Sequence, residues 1–326
     1  MKLIGLMPVR NEAWCLGLTL RAALMWCDTV ICADHGSTDS SREIMEGIAQ
    51  EVGLSRLIIR DDREQEWREM EQRQMLLHEA RERGATHIAI VDADEILTGN
   101  LLPSKTALNT INTYLNAMKP GECLQLPMYQ LRGSLDRYHA NGIWGNRWLS
   151  VAFQDDPRLS WSGDKFHSRE PEYPGGGYSG GGKLRPYQPI KQGQGGSFHL
   201  WGVSERRLRA KHALYQVTEA LRWPNKSQDE IRRQYSLWRD PVASGLMYPQ
   251  MPEWGKPWTF ADVPAEWWAP YVNLLKYLDL GRSWMDPAVD EPLRFEPTPW
   301  QEAEVRRLVA EHGAETFKGL DLFGVV

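Results

Sequence analysis

The chain opens with a short apolar run, Lys2 to Met7, stopped by Pro8, and Leu16 to Met25 then has the composition of a helix. A second, β-branched run, Asp28 to Ala33, ends at DHGSTDSSRE. There Gly36 marks a tight turn, and Ser40 with Glu43 forms a capping box for a helix reaching Gln50. Leu57 to Ile59 predicts a third strand. The following EWREMEQRQMLLHEARER puts Trp67, Met70, Gln74 and Leu77 on one helical face, and Gly84 ends it. His87 to Val91 is the fourth strand. Strand and helix thus alternate, which predicts a three-layer α/β/α sandwich with mostly parallel neighbouring strands.

From Tyr129 the pattern weakens into Trp- and Gly-rich sequence. PGGGYSGGGK, over Pro174 to Lys183, and QGQGG before Ser197 read as long loops, either a lid or a flexible linker. A strong helix begins at Ser204, and Trp223 to Val326 is rich in Trp and Pro. Thr298, Pro299 and Gln301 supply the cap, first position and box of a helix that ends near Gly313. The expected organisation is one domain over residues 1–222 and a mainly helical, Trp-rich extension over 223–326.

With 326 residues, 42% of them hydrophobic, the chain has enough apolar material for real cores. Its 38 Lys and Arg against 43 Asp and Glu give a net charge of −5, which argues against a protein that coats nucleic acid. Cys15, Cys27, Cys32 and Cys123 form no C-x-x-C pair, so reduced thiols are expected rather than a zinc site or a disulfide framework. No run reaches the roughly 18 apolar residues of a membrane span. The N-terminal MKLIGLMPVRNEAW lacks the apolar core of a signal peptide, and the expected location is the cytoplasm.

The stretch HIAIVDADEIL, His87 to Leu97, is a buried strand that ends in three carboxylates. Open α/β sheets bind ligands beyond the carboxyl ends of their strands. If the backbone stays extended, Asp92 and Asp94 point to the same side and Ala93 faces away. Two such carboxylates suit Mg²⁺ or Mn²⁺ with positions left for phosphate oxygens. A solvated strand end would carry the same triplet.

PVRNE (Pro8 to Glu12), DHGSTD (Asp34 to Asp39), Arg73 and VDADE, in that order, resemble the glycosyltransferases of family 2, which have the nucleotide-sugar-binding GT-A fold. The resemblance covers roughly residues 1 to 100. More faintly, WSGDKFHSRE, SFHLWG and RRLRAKHALY, within Trp161 to Ala220, look like later segments of the subgroup that modifies lipopolysaccharide cores and peptides. It implies a nucleoside-diphosphate sugar donor, UDP being the first choice, and Mn²⁺ or Mg²⁺ as cofactor. Pro8, Arg10, Glu12, Asp34, Arg73 and Asp92 would line the donor site, and Arg206 and Lys211 would clamp the diphosphate. Asp94 would be the direct metal ligand, with Asp92 reaching the metal through water or holding the donor sugar. His199 would complete the metal site, with His167 second in line. Asp164 and Glu170 are the candidate bases of an inverting reaction, beside Asp92 in the catalytic set. Asp34 has an alternative reading as an Asx turn. His35 replaces a second acid, and Asp39 supports the turn and the helix start.

Trp144, Trp148, Trp161 and Trp201 are the expected acceptor contacts, whereas Trp267 and Trp268 belong to helix packing. The acceptor would be a glycan, a lipid-linked saccharide or a protein; a hydroxylated base in DNA is disfavoured by the charge. A haloacid-dehalogenase-like phosphotransferase is the enzymatic rival, but its D-x-D normally closes the first strand. A sugar nucleotidylyltransferase would need a Gly- and Arg-rich loop absent from LMPVRNEAW. A non-catalytic glycan- or nucleotide-binding module is the third alternative.

Overall fold

The computed structural model describes residues 1–62, 68–103, 110–163, 168–174, 182–235, 256–278 and 299–326. The chain forms two compact units from interleaved segments. The first comprises Met1–Met128, Arg147–His199 and Pro264–Leu293, and the second Tyr129–Asn146, Leu200–Val263 and Arg294–Val326.

The alternation expected at the start is present: β1 (Leu3–Val9), α1 (Ala13–Ala23), β2 (Thr29–Asp34), α2 (Ser41–Val52), β3 (Leu57–Asp61), α3 (Glu69–Glu82) and β4 (His87–Ile90). Beyond it come β5 (Glu95–Leu97), α4 (Ile111–Ala117), β6 (Glu122–Gln130), β7 (Arg137–His139), α5 (Gly142–Gly145), β8 (Trp148–Gln154), β9 (Arg185–Tyr187) and β10 (Ser197–His199). The remaining elements are α6 (Glu205–Arg222), α7 (Gln228–Tyr235), β11 (Phe260–Asp262), α8 (Ala265–Trp268) and α9 (Trp300–His312).

The main sheet has the order β3-β2-β1-β4-β8-β6-β10-β5, with β9 beside β6. β1 is parallel to β2 and β4, and β2 to β3, whereas β8 runs antiparallel to both β4 and β6. β1 is apolar throughout because both of its faces are covered. Ile4 and Leu6 join Ile31, Ile88, Ile90 and the α3 residues Met70, Leu76, Leu77 and Ala80 in one core cluster. Gly5 has the opposite phase: a Cβ there would stand 3.1 Å from Cys27 Sγ. All four cysteines are buried and none is in a disulfide. Among the described residues no helix is long and apolar enough to cross a membrane.

Local details differ from the sequence reading. Ser40 occupies the N-cap position of α2 but its hydroxyl makes no cap hydrogen bond; Asp39 Oδ1 accepts from Ser41 N at 2.9 Å instead. α9 begins one residue late, with Pro299 at its N-cap, and ends at Gly313, whose φ is +84°. Trp67 and Thr298 lie outside the described residues. The boundary expected at 222/223 does not separate the units. β11 pairs antiparallel with β7, which draws Tyr129–Asn146 into the second unit, and α6 packs there on α9 through Ala213, Leu214 and Val217 against Val305 and Val309. Side-chain periodicity carries no record of such long-range pairing, so a linear cut fails.

Gly99 follows β5 in a single 3-10 turn. A Cβ at that position would lie 2.6 Å from Pro270 Cγ and 2.8 Å from the Trp267 carbonyl oxygen, both on rigid chain. Gly99→Ala is therefore expected to destabilise the first unit by about 1–3 kcal/mol, the usual range for overpacking, read as a lower thermal midpoint. An unchanged midpoint would mean that the α8 region yields at no cost.

Candidate active site

The carboxyl ends of β1 and β2 carry two loops that clamp each other. Asn11, at φ +55°, uses one side-chain oxygen to accept from the backbone N–H groups of Thr38 (2.6 Å) and Asp39 (3.2 Å). In return Ser37 Oγ accepts from Asn11 N, Ser41 Oγ from Glu12 N, and Asp39 Oδ2 from Ala13 N. Asn tolerates the left-handed conformation better than most residues because its short amide bonds locally. Glu12 receives the Trp14 indole N–H at 2.6 Å. Pro8 and Arg10 flank the end of β1.

Asp34 closes β2 and accepts from Ser37 N at 3.0 Å, which is the Asx turn considered for it, while its second oxygen lies 3.8 Å from Arg42 Nη1. His35 stands just beyond. Its Nδ1 is 3.3 Å from Asp62 Oδ2, which also accepts from Gln72 Nε2.

The acids after β4 do not follow an extended backbone. A turn, with Glu95 N donating to Asp92 O at 3.1 Å, sends Asp92 and Asp94 to different partners. The expectation of two carboxylates side by side on an extended strand is corrected accordingly. Asp92 lies in a guanidinium cradle: Arg73 Nη2 donates to Oδ1 at 2.9 Å and Arg169 Nη1 to Oδ2 at 2.7 Å. Burial would raise this carboxyl, but the two guanidiniums outweigh it and hold it well below the usual carboxylate range. Arg73 is itself buried and donates through Nε to Glu69 at 2.7 Å, so it acts as a brace for Asp92. Glu95 receives Arg169 through both oxygens, at 2.9 and 2.6 Å. Ala93, buried rather than turned out, accepts from Thr19 Oγ1 at 2.6 Å through its carbonyl.

Asp94 is buried, and its Oδ2 is 3.4 Å from His199 Nε2. A hydrogen-bond register brings these residues together across the chain. β10 pairs antiparallel with β5 so that His199 lies opposite Glu95, Phe198 opposite Ile96 and Ser197 opposite Leu97. Phe198 stacks on Trp268 at 4.5 Å with ring planes 12° apart, which anchors β10 from below. Trp267 and Trp268 are thus packing residues, as expected.

One carboxylate oxygen and one imidazole nitrogen at this separation fit a single divalent ion, since such donors stand about 2.1 Å from it. Among the described residues no group of three or more His, Cys, Asp or Glu is arranged to hold a metal. The fit is therefore to a two-residue partial site whose other positions come from a ligand or water, with Asp92 engaged elsewhere.

The other expected residues are dispersed. Glu170 accepts from Ser150 Oγ and, at 3.4 Å, from Gln125 Nε2. Asp164, His167 and most of the Gly-rich loop lie outside the described residues. Arg206 and Lys211 belong to the second unit, where Arg206 forks onto Glu302 at 2.6 and 3.0 Å and Lys211 Nζ sits 5.4 Å from the Trp201 ring centre. Trp161 is core, edge-on to Phe153 and donating to Ser168 O, which removes it from the acceptor contacts. Trp144 and Trp201 pair in the second unit at 5.7 Å, and Trp148 is half-buried in β8. The sequence reading missed Asn11 and Arg169. Asn11 stands inside the PVRNE segment that drew notice to its neighbours, and an Asn between a strand and a helix is a signal for a left-handed residue. Arg169 has no local signal at all.

Residues 6–105 match the family model described as glycosyl transferase family 2. Over these residues the chain is similar to that family. The family 2 segment contains Asn11, Asp34, Arg73, Asp92, Asp94 and Glu95, whereas His199 and Arg169 lie beyond it. No curated protein matches the chain. Solved structures that match the chain include S. aureus TarS 1-349, at 12% identity over 86% of this chain and 82% of that one with a TM-score of 0.42. The mannosyltransferase PcManGT from Pyrobaculum calidifontis, in complex with GDP-Man and Mn²⁺, is 13% identical over 95% of this chain and 86% of that one, with a TM-score of 0.36. GalNAc-T7 with UDP, GalNAc and Mn²⁺ is 13% identical over 78% of this chain and 59% of that one, with a TM-score of 0.34.

Proposed function

We propose that this glycosyltransferase moves a sugar from a nucleoside-diphosphate donor, UDP-linked in the first instance, to a hydroxyl of a glycan, lipid-linked saccharide or protein, in the cytoplasm and with a divalent metal. The observation that carries the reading is the meeting of Asp94 and His199 at 3.4 Å beside a carboxylate held by two guanidiniums, at the carboxyl edge of a family 2 sheet. Asp94 and His199 would hold Mn²⁺ or Mg²⁺, which supplies Lewis-acid relief of charge on a departing diphosphate. Asp92 keeps about a third of its side chain exposed, and its oxygens have lone pairs beyond those taken by Arg73 and Arg169. It is suited to accept from a donor-sugar hydroxyl and to fix the ring. Asp34, Pro8, Arg10 and Glu12 would line the nucleoside site, and Asn11 holds together the loops after β1 and β2. Glu170 or Asp164 would take the acceptor proton in an inverting reaction. The same cradle disfavours a phosphotransferase, since an aspartate tied to two arginines is a poor nucleophile.

The test is thermal stability against UDP, GDP, CMP and dTDP, each with and without Mn²⁺, followed by hydrolysis of the corresponding donor sugars. A ligand that binds only the folded state raises the midpoint. A Mn²⁺-dependent rise with one nucleotide, and slow hydrolysis of its sugar, is the expected result. A rise without any hydrolysis would favour a binding module, and no rise with any nucleotide would overturn the reading.

A further inference from the structure

We propose that Arg169 is a built-in cation that removes Asp92 and Glu95 from the metal's ligand set, so that a divalent ion is held well only when a nucleotide is bound with it. This inference rests on the donor reading above and goes beyond it by assigning a role to a residue outside the matched family segment.

The Arg169 socket is complete. Its Nε donates to Ser150 O at 2.5 Å; Nη1 donates to Asp92 Oδ2 and Glu95 Oε1 at 2.7 and 2.9 Å; Nη2 donates to Ile90 O and Glu95 Oε2 at 2.9 and 2.6 Å. All five N–H groups of the guanidinium are thereby used, which a rigid planar fork can do and an ammonium cannot. Glu95 would otherwise be well placed as a ligand, because the β5–β10 register sets it directly opposite His199 and it adjoins Asp94 in sequence. With Arg169 in place both of its oxygens are committed. Hard cations such as Mn²⁺ and Mg²⁺ take about six donors. Two from the protein leave the rest to water or to phosphate oxygens, so affinity for the bare ion is low and rises when a diphosphate supplies the missing charge and oxygens. Arg73 bridges Glu69 and Asp92, and Arg169 bridges Asp92 and Glu95, while Asp94 meets His199. By linkage, the factor by which nucleotide tightens Mn²⁺ is the factor by which Mn²⁺ tightens nucleotide.

The experiment measures free Mn²⁺ by electron paramagnetic resonance with the full chain, with and without UDP or GDP, for wild type, Arg169→Gln and Arg169→Lys. In wild type, nucleotide is expected to tighten Mn²⁺ at least tenfold. In Arg169→Gln, Mn²⁺ alone should bind at least tenfold tighter than in wild type, because the Asp92 and Glu95 oxygens are released, and the nucleotide effect should shrink towards none. Arg169→Lys keeps the charge but cannot span both acids, so it should fall between the two. Circular dichroism identifies a variant that does not fold; if Arg169→Gln fails, Arg169→Lys decides. A wild-type coupling that both folded variants retain in full overturns the role of Arg169 and leaves the nucleotide reading standing. Tight Mn²⁺ binding by wild type without nucleotide also overturns it. No nucleotide-linked Mn²⁺ binding in wild type overturns both.

Discussion

Asp94→Asn is expected to lower transfer about a thousandfold, equivalent to about 4 kcal/mol of transition-state stabilisation, while leaving the fold intact. Asparagine keeps the size and the capacity to meet His199 but loses the charge that a divalent ion needs. Asp94 follows β4 in a turn rather than lying in the sheet core, so its replacement removes no ladder hydrogen bond. His199→Gln should have a comparable effect, and the double variant should cost little more than either single one, because both side chains would hold the same ion. The measurements are kcat/KM with the donor identified by thermal shift, and the unfolding midpoint of each variant. Activity within a few-fold of wild type for Asp94→Asn would make this carboxylate structural. Additive losses would mean that Asp94 and His199 act separately.

Acid should weaken the second unit by about 4 kcal/mol between pH 7 and pH 5, through two buried histidines of that unit. His139 is 1% exposed, packed edge-on against Trp258 and beside Phe260, and burial with Arg132 and Arg137 nearby lowers it from 6.5 to about 3. His212 is likewise lowered to about 3, chiefly by burial, although its Nδ1 meets Tyr235 O at 2.8 Å. Both are neutral in the folded state at pH 5 while the unfolded chain has protonated them. The unfolded state therefore binds more protons, and stability present above pH 6.5 is lost as pH falls from there towards 3. Each histidine accounts for about 2 kcal/mol of the loss over those two pH units. Denaturant titrations at both pH values for wild type, His139→Phe and His212→Phe isolate these sites from the carboxylates: each variant should lose about 2 kcal/mol less than wild type on acidification. Equal losses in all three proteins would mean that the rings are hydrated in solution.

The first hundred residues were legible because their strands alternate with amphipathic helices and stop at turn residues, so β1 to β4 and α1 to α3 fall within a few residues of where the pattern sets them. Asp34, Asp92 and Asp94 stand at strand ends for the same reason. What could not be read is what depends on pairing between distant segments. The extended geometry assumed for Asp92 and Asp94 gave way to a turn, because Thr19 and Cys15 take the Ala93 carbonyl. Arg169 looks like any charged residue in a polar stretch, yet it neutralises two acids more than seventy positions away. The interleaving of the two units follows from a three-residue strand, β11, whose partner β7 precedes it by more than a hundred residues.

The β5–β10 register places His199 by backbone hydrogen bonds, and a slip of one residue would turn its side chain to the opposite face. The chain between the two strands also supplies β6 and β8 to the same sheet and Arg169 to the acids after β4, so changes of length there belong in the connections between those elements. Such changes leave His199 opposite Glu95 as long as the β5–β10 pairing is kept.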